Sequence, residues 1–316
     1  MEKLLDIARF PGRRWVQTLA TSGQLTSDVN TLEATVRIRW ARLLHVHPRD
    51  LVLFATGTEA LRAAVYALLA PGDVALLAQP VPMDAVHAVL AAGARYVDVG
   101  RTFFADAAAG SWHGDAAERA CAAHPDAVAY LQAPAWTGAD DPAHARDLPL
   151  RARIVDARNQ PACSGPRFAD PVDRAADPLT LTVVTLRDPD WPRDPPLAAL
   201  IAPPELGPVL RAIVGPVHVP PVLIDRAFAL LDGFATQPEW PARLLPFLHN
   251  RHQRWSTLLA GHAGVQPLPF AGLQAAALCL QGNPEALLPL LMPEFPATLA
   301  IASPRPLLVT DLAMPA

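Results

Sequence analysis

Between Leu51 and Val155 the chain alternates short apolar runs with helical stretches, and this alternation restricts its fold more than any other feature. Leu51 to Ala55 reads as a buried strand, Thr56-Gly57-Thr58 as a turn, and Glu59 to Leu69 as an Ala/Leu-rich helix stopped by Pro71-Gly72. The unit then recurs. Val74 to Ala78 is apolar, Met83 to Ala92 helical, Arg95 to Val99 strand-like, Asp115 to Ala123 helical, Ala127 to Leu131 apolar and Arg153 to Val155 apolar. Strands alternating with helices predict βαβ crossovers, hence an α/β fold whose mainly parallel sheet is covered by helices on both faces.

Ser27 to Leu44 precedes these units as an amphipathic helix, with Leu32, Val36, Trp40 and Leu43 at helical spacing. Leu179 to Leu186 and Leu197 to Ala202 form a candidate strand pair, joined by the Pro-rich Asp188 to Pro196. Beyond Gly215 the pattern changes to two helices, Ile224 to Phe234 and Leu244 to Ala260, followed by apolar runs at Leu273 to Leu280, Ala297 to Ala302 and Leu307 to Val309. For 316 residues the expected organisation is a large domain over 1–215 and a small C-terminal α+β domain over 216–316.

At 51% hydrophobic and 18% charged residues, the composition is that of a globular chain. The formal net charge of -4, with no Lys/Arg run, argues against nucleic acid or an anionic membrane as partner. Cys121, Cys163 and Cys279 are scattered and form no CxxC pair, so neither a disulfide framework nor a zinc site is expected. With no signal-peptide core at Met1 to Pro11 and no spanning-length apolar run, a soluble cytoplasmic protein is the expectation.

Thr56-Gly57-Thr58 stands where a strand passes into a helix, so its free N–H groups suit a phosphate or small anion. A plain helix cap, with Thr58 satisfying the first donors, is the competing reading. The stretch Ala55 to Val99, with Thr56-Gly57-Thr58 then Ala60-Leu61, the turn Pro71-Gly72-Asp73, and Gly93-Ala94, resembles fold-type I pyridoxal-phosphate (PLP) enzymes, closest to sugar aminotransferases of the DegT type. Ser22-Gly23-Gln24-Leu25 with Leu32-Glu33 is similar to that family's entry segment, and the resemblance spans roughly the first two thirds of the chain. It implies a PLP-dependent transferase-like fold with Thr56, Gly57 and Thr58 at the cofactor phosphate. Ile154-Val155-Asp156-Ala157-Arg158-Asn159 resembles the family's D-A-x-Q motif, in which the aspartate pairs with the pyridinium N–H. By that resemblance Asp156 takes this role, Asn159 or Gln160 replaces the glutamine at the ring hydroxyl, and Thr185 matches a phosphate-binding serine.

The pattern then fails. Val183-Val184-Thr185-Leu186-Arg187-Asp188-Pro189-Asp190 stands where the family carries its Schiff-base lysine, Asp190 falling at or near that position, and Pro196-Leu197 replaces a glycine pair. The chain's only lysine is Lys3. Pro80 and Pro82 occupy the loop that should supply an aromatic stacked on the ring, and no histidine lies between His144 and His218. Since the lysine forms the internal aldimine and moves the proton, ordinary transamination is not expected.

Two readings remain. One is a degenerate, non-catalytic scaffold or partner subunit that retains at most a phosphate or anion pocket. The alternative is an enzyme of transferase or dehydratase type that binds pyridoxal or pyridoxamine phosphate non-covalently, with Asp190 as base. In either case the resemblance implies a homodimer, or a heterodimer with a lysine-containing homologue, burying residues 1–26 around Trp15. Arg305 matches the place of a carboxylate-binding arginine in many aminotransferases. His45 and His47 lack partners for a metal set and read as surface residues. His249, Arg251, His252 and Arg254 read as a solvated helix face, and Trp15, Trp40 and Trp136 as packing residues.

Overall fold

The computed structural model describes residues 29–101, 112–135, 139, 141–160, 179–188, 197–207, 209–210, 219–237, 239, 244–262, 264–270, 273–279, 297–302 and 305–312. Helix α1 (Val29–Leu43) leads into strand β1 (Leu51–Phe54). Helix α2 (Gly57–Leu68), β2 (Val74–Leu77), α3 (Met83–Ala91) and β3 (Arg95–Asp98) follow. Next come α4 (Gly114–Ala123), β4 (Val128–Gln132), the short α5 (Asp141–His144), β5 (Ala152–Asp156), β6 (Leu179–Leu186) and β7 (Leu197–Ile201).

These strands form one seven-stranded sheet in the order β1-β7-β6-β5-β4-β2-β3. β6, β5, β4, β2 and β3 pair in parallel, whereas β7 pairs antiparallel with both β6 and β1. Only β7 therefore runs against the rest. The β6–β7 pairing matches Thr185 with Ala198 and Leu186 with Leu197, as the two apolar runs predicted.

Side chains alternate across the sheet with the period of two that a strand imposes. Phe54, Leu77, Tyr130, Ile154, Leu181 and Leu200 face α2 and α3, burying Leu61, Val65 and Val89. Their neighbours point the other way. Leu53, Val184 and Ala199 meet α1 and α6 (Pro221–Thr236), where Trp40, Leu230 and Phe234 are buried, while Leu76 and Leu131 meet α4. The sheet is thus covered on both faces, and Trp40, 2% exposed, is a packing residue as expected.

Turn chemistry closes the units. Gly72, at φ 90°, occupies the left-handed region that favours glycine, and the Asp73 carboxylate accepts from the Ala70 N–H at 3.0 Å and from Arg151 at 2.8 Å. At the far edge of the site helix α2 is capped by Thr56, whose Oγ1 accepts from the Glu59 N–H while Glu59 accepts from the Thr56 N–H, both at 3.2 Å. This corrects the cap reading, which placed Thr58 in that role. The cap falls two residues earlier because Thr56 is the extended residue that opens the capping box S/T-x-x-E with Glu59.

The C-terminal part is α7 (Leu244–Ala260) and a four-stranded antiparallel sheet, β8 (Val265–Pro267), β9 (Gln274–Cys279), β10 (Ala297–Ala302) and β11 (Arg305–Asp311), in the order β10-β11-β9-β8. β8 escaped the sequence reading because it is only three residues long and ends in Pro267, which an edge strand tolerates. The expected boundary near Gly215 lies outside the described residues. On the helix face expected to be solvated, His249 and Arg254 are exposed and Arg251 and His252 half-buried; His249 stacks on Phe270 with ring centroids 4.1 Å apart, and His252 meets the Leu268 carbonyl at 3.0 Å. Residues 265–270 lie against α7 and turn part of that face into packing surface.

Candidate functional site

The C-terminal ends of β4, β5 and β6 and the turn from β1 into α2 converge, the position at which open α/β sheets bind ligands. β5 delivers Asp156 there on the α2 side of the sheet. Its paired neighbour β4 brings Tyr130, whose hydroxyl donates to Asp156 Oδ2 at 2.5 Å. β6 brings Thr185, and the turn brings Thr56, Gly57 and Thr58.

The residue that joins these parts is Arg158. Its Nε donates to Asp156 Oδ1 at 2.8 Å and its Nη2 to Asp156 Oδ2 at 2.6 Å. Its Nη1 and Nη2 also reach Asp84, at the start of α3, at 2.6 Å to Oδ2 and 3.2 Å to Oδ1. One guanidinium thus bridges two carboxylates, the planar fork matching both. Thr58 Oγ1 donates to Asp84 Oδ2 at 2.8 Å, so the turn belongs to the same network. Arg187, past the end of β6, donates through Nη2 to the Arg158 carbonyl.

Burial strengthens these contacts, the Arg158, Asp156 and Asp84 side chains being 16%, 5% and 27% exposed. Burial raises the Asp84 carboxyl's pKa, but hydrogen bonding to Arg158 and its charge, with help from Thr58 and the Ala85 N–H, outweigh that and leave it below the ordinary value. For Arg158, burial weakens proton binding, and the charge and hydrogen bonds of Asp156, with those of Asp84, more than reverse it. Tyr130 is raised well above the ordinary phenol value, by burial first and the Asp156 charge second. At neutral pH Asp84 is therefore ionised, Arg158 charged and Tyr130 a neutral phenol.

Asp156 has no acceptor capacity left. Oδ1 receives the Arg158 N–H at 3.1 Å and Nε–H, and Oδ2 receives Nη2–H and the Tyr130 hydroxyl, which fills the roughly four lone-pair sites of a carboxylate. Space is short as well. A Cβ on Gly57 would lie 2.5 Å from Arg158 Cδ, so the arginine stem passes directly over the turn, and 3.4 Å from Thr185 Cγ2.

Tested against PLP, the site divides. The turn end keeps groups suited to an anion: among the described residues the Gly57 and Thr58 N–H groups at the start of α2 carry no hydrogen bond, and the buried Thr185 Oγ1 has no partner. At the ring end, Arg158 saturates Asp156 and covers Gly57. The residues present therefore do not fit the complete cofactor.

Of the other sequence candidates, Asp190 lies outside the described residues, as do Lys3, Trp15 and Trp136. Arg305 opens β11 opposite Ala302. Asn159 presents its carbonyl to the Leu273 N–H at 3.2 Å, tying the loop after β5 to the C-terminal sheet. Sequence reasoning passed over Arg158, Asp84 and Tyr130. The available signal was an arginine two residues beyond Asp156 in a turn, together with an acid at the start of the helix after Pro82. His47 Nδ1 accepts from the Arg49 N–H at 3.2 Å, a local turn contact.

No protein-family model and no curated protein sequence matches the chain. Solved structures do match. N-succinyldiaminopimelate aminotransferase from Mycobacterium tuberculosis aligns over 96% of this chain and 85% of its own, with TM-score 0.67 and 20% identity. Histidinol-phosphate aminotransferase from Sinorhizobium meliloti, solved with pyridoxal-5'-phosphate, aligns over 96% and 84%, with TM-score 0.69 and 16% identity. A mutant of Thermus thermophilus aspartate aminotransferase gives 96% and 83%, TM-score 0.71 and 15% identity. At such identities the likeness establishes the fold: this chain has the architecture of the PLP-dependent aminotransferases.

Proposed function

We propose that this chain is a non-catalytic member of that fold, a scaffold or partner subunit that retains an anion-binding turn at Thr56 to Thr58. The observation that carries the reading is the saturated Asp156 carboxylate, held by Arg158 and Tyr130 in place of a pyridinium. The sequence supports it with Lys3 as the chain's only lysine. The kinship to DegT-type sugar aminotransferases rests on the order of the TGT, PGD and Asp156-Ala157-Arg158 segments. In assembly it acts as a homodimer, or as a heterodimer with a lysine-containing homologue, a two-fold pair being the commonest closed assembly. Residues 1–26 belong to that interface. It works in the cytoplasm. Phosphate or sulfate binds reversibly at the turn through the Gly57 and Thr58 N–H groups and Thr185 Oγ1.

The deciding experiment is incubation with PLP and an amino donor, followed by borohydride reduction and mass mapping. No stoichiometric adduct and no turnover are expected. An adduct on Lys3 together with turnover overturns the reading. Turnover without an adduct instead favours non-covalent catalysis by another base, with Asp190 as its candidate. Asp190→Lys is expected to restore no imine absorption band, because Asp156 is already engaged.

A further inference from the structure

We infer that Arg158 is the permanent occupant of the cleft this fold offers a cofactor, replacing a bound cation with one built into the chain. The inference rests on the non-catalytic reading above and adds to it what fills the cleft and what closing it achieves.

The argument starts from what a buried carboxylate needs. Asp156 stands at the end of a central parallel strand, 4% exposed, where an ionised group requires a cation or several donors. A pyridinium ring supplies one N–H. Arg158 supplies three donors to the same carboxylate, its backbone N–H, Nε and Nη2, and carries a full positive charge at every pH the protein meets. The same guanidinium neutralises Asp84, which lies 74 positions earlier in the chain and begins another helix. Through Thr58 it secures the turn, and through Tyr130 and the Asp156 carboxylate it secures β4. Four separate segments are joined through one side chain.

A ring entering from outside must break these contacts, parting Arg158 from Asp156 and Asp84 from its cation, so the cleft is closed to PLP by competition as well as by volume. The stem of Arg158 also occupies the space above the Gly57 Cα. The fold is accordingly assembled and held without a cofactor.

The test uses the full chain and two probes, PLP and methylguanidinium, each followed by thermal denaturation. Wild type is expected to show no saturable absorbance change with PLP up to millimolar concentration and no change in Tm with either probe. Arg158→Ala is expected to lose roughly 5–10 °C in Tm and to regain part of it in millimolar methylguanidinium, with potassium chloride at equal ionic strength giving no recovery. If Arg158→Ala proves insoluble, Arg158→Lys keeps the charge without the fork and should fall between the two; a wild-type Tm for either variant overturns the inference. So does saturable micromolar binding of PLP to the wild type without turnover, a result that leaves the non-catalytic reading standing. A borohydride adduct with turnover overturns that reading first, so the two failures are distinguishable.

Discussion

Arg158 follows Asp156 by two positions and folds back to grip that carboxylate in a two-point pair, Nε to Oδ1 at 2.8 Å and Nη2 to Oδ2 at 2.6 Å. A pair so close in sequence closes almost no loop and by itself ties nothing together. Its structural value comes from Asp84 and Tyr130, which join it from α3 and β4.

Tyr130→Phe tests that connection with the smallest change. It keeps the buried ring and removes only the hydroxyl that donates to Asp156 Oδ2 at 2.5 Å. A hydrogen bond to a charged acceptor contributes about 1.5–3 kcal/mol, so urea denaturation should show a loss of that size with an unchanged m-value. A loss below about 0.5 kcal/mol would mean that Arg158 alone satisfies Asp156.

Acid sensitivity should centre on Asp84. Its folded carboxyl binds a proton less readily than the unfolded chain does, so its contribution is complete above the unfolded value, about 3.9, and is lost as pH falls through the folded one. Asp73 works in the same direction, through the Ala70 N–H first and Arg151 second. The urea midpoint is expected to be level from about pH 7 to 5 and to fall below about pH 4. Asp84→Asn should lower the plateau and flatten the acid limb; an acid limb identical to wild type assigns the effect elsewhere.

The βα alternation and the β6–β7 pair were legible because each is written in local periodicity, as in Leu51 to Ala55 and Glu59 to Leu69. Thr56, Gly57, Thr58, Asp156 and Thr185 meet at one end of the sheet because strand ends and turns are also local features. Arg158 was not legible. A long flexible side chain beside a turn has many rotamers open to it, and only the positions of Asp84 and Tyr130, from distant segments, select the one it takes. The same limit hid the contact of His249 with Phe270.

A second buried ion pair provides a comparison away from the cleft. Arg101 pairs with Asp141 at 2.7 and 2.9 Å, the side chains 0% and 1% exposed, and Asp141 Oδ2 also accepts the Gln132 N–H at 2.9 Å. Asp141→Ala leaves a guanidinium buried with its carboxylate gone, so a loss of about 3–5 kcal/mol is expected. Circular dichroism during thermal unfolding reads it. Full stability in this variant would mean that water reaches Arg101.

Gly57→Ala separates the two roles open to this glycine. Its backbone does not use the left-handed region: the positive-φ glycines among the described residues are Gly72, Gly93, Gly100 and Gly264. Alanine is therefore acceptable to the backbone, and at the first position of α2 it should stabilise by about 0.4–1 kcal/mol through the unfolded chain. Against this, the added Cβ meets Arg158 Cδ at 2.5 Å. That atom sits in mid-chain, with the guanidinium beyond it fixed by two carboxylates, so it cannot swing aside without breaking their hydrogen bonds. Overpacking of this kind costs about 1–3 kcal/mol, which makes Gly57→Ala destabilising in the wild type. With Arg158→Ala in the background the clash is gone and only the favourable contribution remains, so the same substitution should become neutral or stabilising. The double-mutant cycle should then give a coupling of about 1–3 kcal/mol. A coupling near zero would mean that the arginine stem does not lie over the turn, and the glycine's purpose would have to be sought in an external ligand instead.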